Sequence, residues 1–192
     1  MKELEDAIRK YGIGLGNDVV KVDMFLNHRI DTGLLMKMGE TFADEFREDA
    51  PTLVLTVEAS GIAMAVAAAA HLGNIPVLFA KKSATVVQTE NMLQAQVYSF
   101  THKTQNTIRV NRDYLPHGSR VLIIDDFLAN GEATQGMIEL CRQAGAEVVG
   151  IGIAVEKGFQ DGGKKLREAG YKLRSMAIID AIDDGKFVFR EQ

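Results

Sequence analysis

Residues 121–134, Val-Leu-Ile-Ile-Asp-Asp-Phe-Leu-Ala-Asn-Gly-Glu-Ala-Thr, limit what this chain can fold into more than any other stretch. Val121 to Ile124 is a short unbroken apolar run, the pattern of a parallel strand buried on both faces. Asp125 and Asp126 stand at its C-terminal end, where they are expected to face solvent. A turn containing Asn130 and Gly131 follows. A helix comes next, with Met137, Ile138, Leu140 and Cys141 at helical spacing. Strand, acidic pair, tight turn and helix N-terminus together make a seat for a phosphorylated sugar. Backbone N–H groups at such a turn hold phosphate oxygens. Paired carboxylates accept hydrogen bonds from ribose hydroxyls or help hold a hydrated Mg²⁺. An ordinary strand-turn-helix with a solvated acidic pair is the plain alternative, and an isolated Asp-Asp would favour it.

The string resembles the phosphoribosyl diphosphate (PRPP) signature of type I phosphoribosyltransferases: an apolar strand, two acidic residues, two apolar residues, then Ala-Thr-Gly-Gly-Thr or a close variant. The likeness runs through Ala129. Asn130 stands where Thr is usual, Glu132 where Gly is common and Ala133 where Thr is common; Thr134 follows directly. The resemblance implies that Asp125 and Asp126 are the catalytic pair on the ribose. It implies that Ala129, Asn130, Gly131, Glu132, Ala133 and Thr134 hold the 5′-phosphate, and that Mg²⁺ arrives with PRPP. It also implies the fold: an α/β parallel sheet flanked by helices, with a small N-terminal hood, as a single domain over residues 1–192.

Along the chain, residues 2–11 have the spacing of an amphipathic helix, with Leu4, Ala7, Ile8 and Tyr11 on one face. Gly12, Gly14 and Gly16 break it. This glycine string follows a helix and opens no βαβ unit, so it reads as a flexible turn and not as a dinucleotide fingerprint. Residues 19–31 precede the alternating pattern and form the hood, about 12–31. With the acidic motif, this segment is similar to the bacterial xanthine phosphoribosyltransferases, in which the positions matching Val20 and Asn27 contact the base. An amide suits that task, since it both donates and accepts. Read without the resemblance, Asn27 caps a turn and Val20 is core.

Residues 33–47 are the next helix. Thr52 to Val57 is a strand, ending in Glu58-Ala59-Ser60-Gly61 before a second helix. The small residues let backbone amides approach a ligand. By resemblance this loop holds pyrophosphate; Ser60 as a helix N-cap is the simpler reading. Pro76 to Ala80 is a strand, and Lys81 or Lys82 after it would neutralise pyrophosphate, with Lys81 preferred for position. Residues 83–107 are polar, with short strands at 97–100 and 107–110; residues 83–95 read as a lid that excludes water. Glu147 to Val155 is another buried strand. Lys157 lies just past it on the ligand edge, where its ammonium would meet a purine 6-oxo oxygen. Phe159 would lie against the base; a strand-end charge and a packed aromatic are the alternatives. Gly162 to Ala169 is a short helix, Tyr171 to Ile179 a last strand, and the tail adds an edge segment.

The 192 residues, 46% hydrophobic, suit one domain with a full core. No apolar run reaches membrane-span length, and the charged N-terminus has no signal-peptide core. The single cysteine, Cys141, fits a reducing cytoplasm. A net charge of −4 gives no broad basic surface for nucleic acid. The expected reaction is PRPP plus xanthine giving xanthosine 5′-monophosphate and pyrophosphate, by a homodimer. Two alternatives stay open: a transferase for guanine, hypoxanthine or adenine, and a non-catalytic PRPP-binding regulator. The stretch before the hood is short and not basic, which argues against a DNA-binding module there.

Overall fold

The structure, a computed structural model, describes residues 1–82, 91–99 and 104–191. Helix α1 (Lys2–Tyr11) turns Leu4 and Ile8 inward. Strands β1 (Ile13–Leu15) and β2 (Val19–Lys21) then form an antiparallel hairpin, with Gly14 opposite Val20. The glycine string is therefore mostly strand, not a flexible turn. A Cβ at Gly14 would stand 2.7 Å from the Ile182 side chain, so this glycine permits close packing. Gly16, at φ 58°, does the turning. A single π-helical turn, Asp23–Asn27, buries Phe25 and Leu26 and completes the hood.

Helix α2 (Thr32–Phe46) is N-capped by Asp31, whose carboxylate accepts from the Leu34 N–H at 3.1 Å. The alternation that follows gives β3 (Leu53–Val57), α3 (Gly61–His71), β4 (Val77–Ala80) and β7 (Arg120–Leu128). After these come α4 (Glu132–Ala144), β8 (Glu147–Lys157), α5 (Gly162–Glu168) and β9 (Leu173–Asp183), and lastly β10 (Lys186–Phe189). The six-stranded sheet runs in the order β10-β9-β8-β7-β3-β4. It is parallel from β9 to β4, with β10 antiparallel at one edge. Side chains alternate along β7: Leu122 and Ile124 join the core under α1, α2 and α3, while Val121 and Ile123 join the core under α4. Gly150 and Gly152 on β8 leave room for the rings of Phe46 and Phe42; a Cβ at either would stand 2.5–2.7 Å from those rings.

Between β4 and β7 the chain makes a separate antiparallel ribbon of β5 (Met92–Ser99) and β6 (Thr104–Asn111). It packs on α4 at Gly136, where a Cβ would meet Val97 at 2.6 Å and Ile108 at 2.9 Å. The strands are longer than the expected 97–100 and 107–110. Of the expected lid, residues 83–90 lie outside the described residues, and Met92 to Ala95 belong to β5 instead.

β3 and β7 are neighbours, yet the chain leaves β3 toward β4 and leaves β7 toward β8. Strand order reverses here, and the C-terminal ends of this pair open the crevice where α/β sheets take ligands.

Candidate active site

Two loops flank the crevice. After β3, residues Glu58–Gly61 lead into α3, and the Glu58–Ala59 peptide bond is cis. Glu58 accepts from the Lys82 backbone N–H at 2.6 Å, tying this loop to the end of β4. Gly61 is fully packed: a Cβ there would stand 2.1 Å from Thr56 Oγ1 and 3.3 Å from Asp125 Oδ1. Only glycine lets the start of α3 lie this close to the acidic pair. The Ser60 hydroxyl makes no capping hydrogen bond, contrary to the simpler reading of that residue.

Strand β7 runs on through the acidic pair to Leu128, so the two carboxylates sit within the strand and not beyond it. Asp125 is only 4% exposed, which corrects the expectation that both face solvent. Burial, and then the adjacent charge of Asp126, push its carboxyl well above the usual range; the Asp126 N–H and the Lys82 ammonium pull the other way. Its Oδ1 accepts the Asp126 N–H at 3.0 Å. Asp126 is half-buried, and its Oδ2 accepts from Asn27 Nδ2 at 3.2 Å. The hood thus touches the acidic pair directly, across 99 residues of sequence.

The turn Ala129–Gly131 enters α4 with Gly131 at φ 90°, a left-handed conformation that suits glycine. No side chain caps this helix, so its first N–H groups remain available to an anion. Asn130, Glu132 and Ala133 are half-buried and Thr134 is buried at 1% exposure. The turn is braced from behind by Gly162, whose N–H donates to Ala129 O at 3.1 Å.

On the other side, Lys157 ends β8 and its Nζ donates to the Asp18 carbonyl in the hood at 2.8 Å. Burial lowers its ammonium below the ordinary lysine value. Phe159 is half-buried against the hood-side core, and Val20, 9% exposed, lies in that core. Behind Lys157, buried Glu156 receives both Arg167 nitrogens at 2.8 and 2.7 Å and the Ser175 hydroxyl. Burial alone would raise this carboxyl; the Arg167 and Ser175 bonds outweigh it and hold it below the ordinary value.

A phosphoribosyl transferase domain model matches residues 28–184. The chain belongs to the phosphoribosyltransferase family. A xanthine phosphoribosyltransferase of Stutzerimonas stutzeri is 49% identical over 189 residues, covering 98% of this chain and 99% of that one. One from Bifidobacterium animalis subsp. lactis is 50% identical over 183 residues, 95% of each. In fold, the adenine phosphoribosyltransferase of Rhodothermus marinus superposes with TM-score 0.75 at 21% identity, over 93% of this chain and 100% of that one. The sheet, flanking helices and hood are those the sequence resemblance implied.

The crevice gathers Asp125, Asp126, Asn27, Ala129–Thr134 and Glu58–Gly61 from across this family member. It does not gather Lys81. That residue pairs by its backbone with Arg109 on β6 and lines a separate cavity of about 210 Å³ with Phe79 and Tyr114. Lys82 is the lysine whose charge reaches Asp125. Gly162, Glu156 and Arg167 had not been picked out from the sequence. A lone Glu ending the apolar run Val148–Val155 is the signal that was there to be read.

Proposed function

We propose that this chain transfers the 5-phosphoribosyl group of PRPP to xanthine, releasing pyrophosphate and forming xanthosine 5′-monophosphate in purine salvage. The hydrogen bond between Asn27 of the hood and Asp126 of the motif carries the reading, because it sets a base-reading amide directly against a ribose-binding carboxylate. The names of the full-length relatives support the choice of xanthine.

A base nitrogen forms the bond to ribose C1 as the C1–O bond to pyrophosphate breaks, and the nitrogen's proton leaves to water. Positive charge builds on the ribose ring. Asp126 accepts from the ribose hydroxyls and, with the field of the pair, stabilises that charge. Asp125, whose carboxyl burial raises, holds Asp126 in place through its N–H. Gly131, Glu132, Ala133 and Thr134 offer backbone N–H groups to the 5′-phosphate, with Ala129 and Asn130 shaping the turn. Ala59, Ser60 and Gly61, with Lys82 in the place expected of Lys81, face the pyrophosphate.

Among the described residues no group of three or more His, Cys, Asp or Glu side chains can cage a metal. The donor set, one half-exposed carboxylate beside a phosphate loop, fits Mg²⁺ carried by the diphosphate, with Asp126 as its protein neighbour. Bound beside Asp126, such an ion would supply positive charge for the pyrophosphate leaving group. Lys157 and Asn27 read polar atoms of the base, while Val20 and Phe159 wall its pocket. The assembly we propose is a cytoplasmic homodimer; among the described residues no helix is long and apolar enough to cross a membrane.

The test is nucleotide formation from PRPP and Mg²⁺ with xanthine, guanine, hypoxanthine and adenine in parallel. The expected result is strong preference for xanthine, with Lys157→Ala losing oxopurine use and keeping calorimetric PRPP binding. Preference for another base would overturn the hood assignment, and PRPP binding without any product would point to a regulator.

A further inference from the structure

Glu156 is a buried carboxylate, 2% exposed, that no step of the reaction uses. It accepts from Arg167 Nη1 at 2.8 Å, from Arg167 Nη2 at 2.7 Å and from the Ser175 hydroxyl. A buried ion pair of this kind adds little net stability over apolar packing of the same volume. What it supplies is fixed geometry, because a guanidinium fork on a carboxylate admits essentially one arrangement of the elements it joins.

The pair joins β8 to the last turn of α5. Glu156 also stands in register with Leu128 of β7, the residue just before the phosphate turn. The helix starts with Gly162 and Gly163, both buried. Neither has room for a side chain. A Cβ at Gly163 would stand 2.5 Å from Glu156 Cδ and 2.6 Å from Arg167 Nη1. A Cβ at Gly162 would stand 2.8 Å from Asn130 C and from Gly131 N. One glycine thus lies on the ion pair and the next lies on the phosphate turn, with the Gly162 N–H donating to Ala129 O at 3.1 Å.

We infer that Glu156 and Arg167 are positioning residues for the 5′-phosphate: the ion pair holds the start of α5 against residues 129–131 and so fixes the backbone N–H groups that take the phosphate. The inference rests on the proposed reading that residues 129–134 hold the 5′-phosphate. Backbone donors weaken steeply once their angle to the acceptor falls away, so a small shift of the turn is felt at the anion. Pyrophosphate faces a different loop. Residues Glu58–Gly61 follow β3 and are tied to the Lys82 N–H by Glu58, with no contact to α5 in that tie. Loosening the ion pair should therefore weaken ligands at one end of PRPP and spare those at the other. A loss of general stability would not make that distinction.

The experiment measures calorimetric binding of ribose 5-phosphate and of magnesium pyrophosphate, separately. It compares the parent with Arg167→Gln, Arg167→Lys and the double variant Glu156→Gln/Arg167→Gln, which leaves no unpaired buried charge. Lys164→Gln is the control, since it removes the same charge from an exposed position of α5. The expected result is ribose 5-phosphate binding weakened about tenfold in Arg167→Gln and in the double variant, the equivalent of one hydrogen bond to a charged group. Pyrophosphate binding stays at the parent value in both. Arg167→Lys keeps the charge without the fork and falls between, and Lys164→Gln matches the parent. Equal weakening of both ligands, or ribose 5-phosphate binding unchanged in the double variant, would overturn the inference. A parent that binds ribose 5-phosphate no better than ribose would instead overturn the reading of the turn.

Discussion

Asp125 and Asp126 are adjacent in sequence and unlike in surroundings. Asp125 is packed among Thr56, Gly61 and the Asp126 N–H, while Asp126 opens to the crevice. Its burial gives Asp125 a raised carboxyl in the folded state. Between the unfolded and folded values the native chain binds the extra proton, so stability falls as pH rises through that window. An Asn at 125 has no such slope and keeps an oxygen for the Asp126 N–H. Asp125→Asn should therefore melt higher than the parent at neutral pH, with the gap closing toward about pH 4, while turnover drops. Thermal melts across pH check this; a parent that melts higher at neutral pH would contradict it. The acidic pair itself was legible in the sequence because it interrupts an apolar run. The unequal roles were not, since nothing local says that Gly61 lies over one carboxylate and Asn27 on the other. The difference between Lys81 and Lys82 was hidden for a related reason. Lys81 pairs by its backbone with Arg109, a residue 28 positions on, and the lysine charge felt by Asp125 is that of Lys82.

The elements that build the crevice came through the sequence well where burial was two-sided or helical. β3, β7 and β8 are apolar runs, and α2 and α4 carry their buried residues at helical spacing. The misread pieces are one-sided. In β5 and β6 the inward residues Leu93, Ala95, Ile108 and Val110 alternate with polar ones, and the polar majority hid the period. The hood hairpin is too short to show any period. The junction of β3 and α3 carries the sharpest steric demand. Gly61→Ala would place a methyl 2.1 Å from Thr56 Oγ1, a hydroxyl that is buried and without a partner among the described residues. Overpacking of that kind costs about 1–3 kcal/mol. The variant should lose stability in that range and lose turnover, because α3 must back away from Asp125. Thr56→Ala in the same chain removes the clashing oxygen and should restore part of the loss. Denaturant titration of the two single variants and the double variant reads the coupling, and purely additive losses would show that the clash is elsewhere.

The molecule divides its core into two sheets of side chains, one under the hood and α1–α3, the other under α4 and the β5–β6 ribbon. Cys141 reports on the second. It is 1% exposed, and burial pushes its thiol up to about 12. Alkylation at pH 8 should be far slower than for a free thiol and should accelerate in urea with the midpoint of global unfolding. Fast labelling in native buffer would show that α4 opens by itself. The two walls of the base site are attached to this body in different ways. The stretch after Lys157 runs straight into Gly162, which is wedged against the phosphate turn: a Cβ there would stand 2.3 Å from Ala129 O. Any change of length or bulk between 158 and 162 is transmitted to the phosphate seat. The hood reaches the reaction centre through the Asn27 side chain on Asp126 and the Asp18 backbone carbonyl under Lys157 Nζ. It is therefore the interchangeable part of the machine. A graft within residues 12–31 that keeps those two contacts, the Asp31 cap on α2, Gly14 and the buried Val20, Val22, Phe25 and Leu26 alters which base is read and leaves the sugar-phosphate machinery in register, whereas bulk at position 162 on the opposite wall is felt at the phosphate seat.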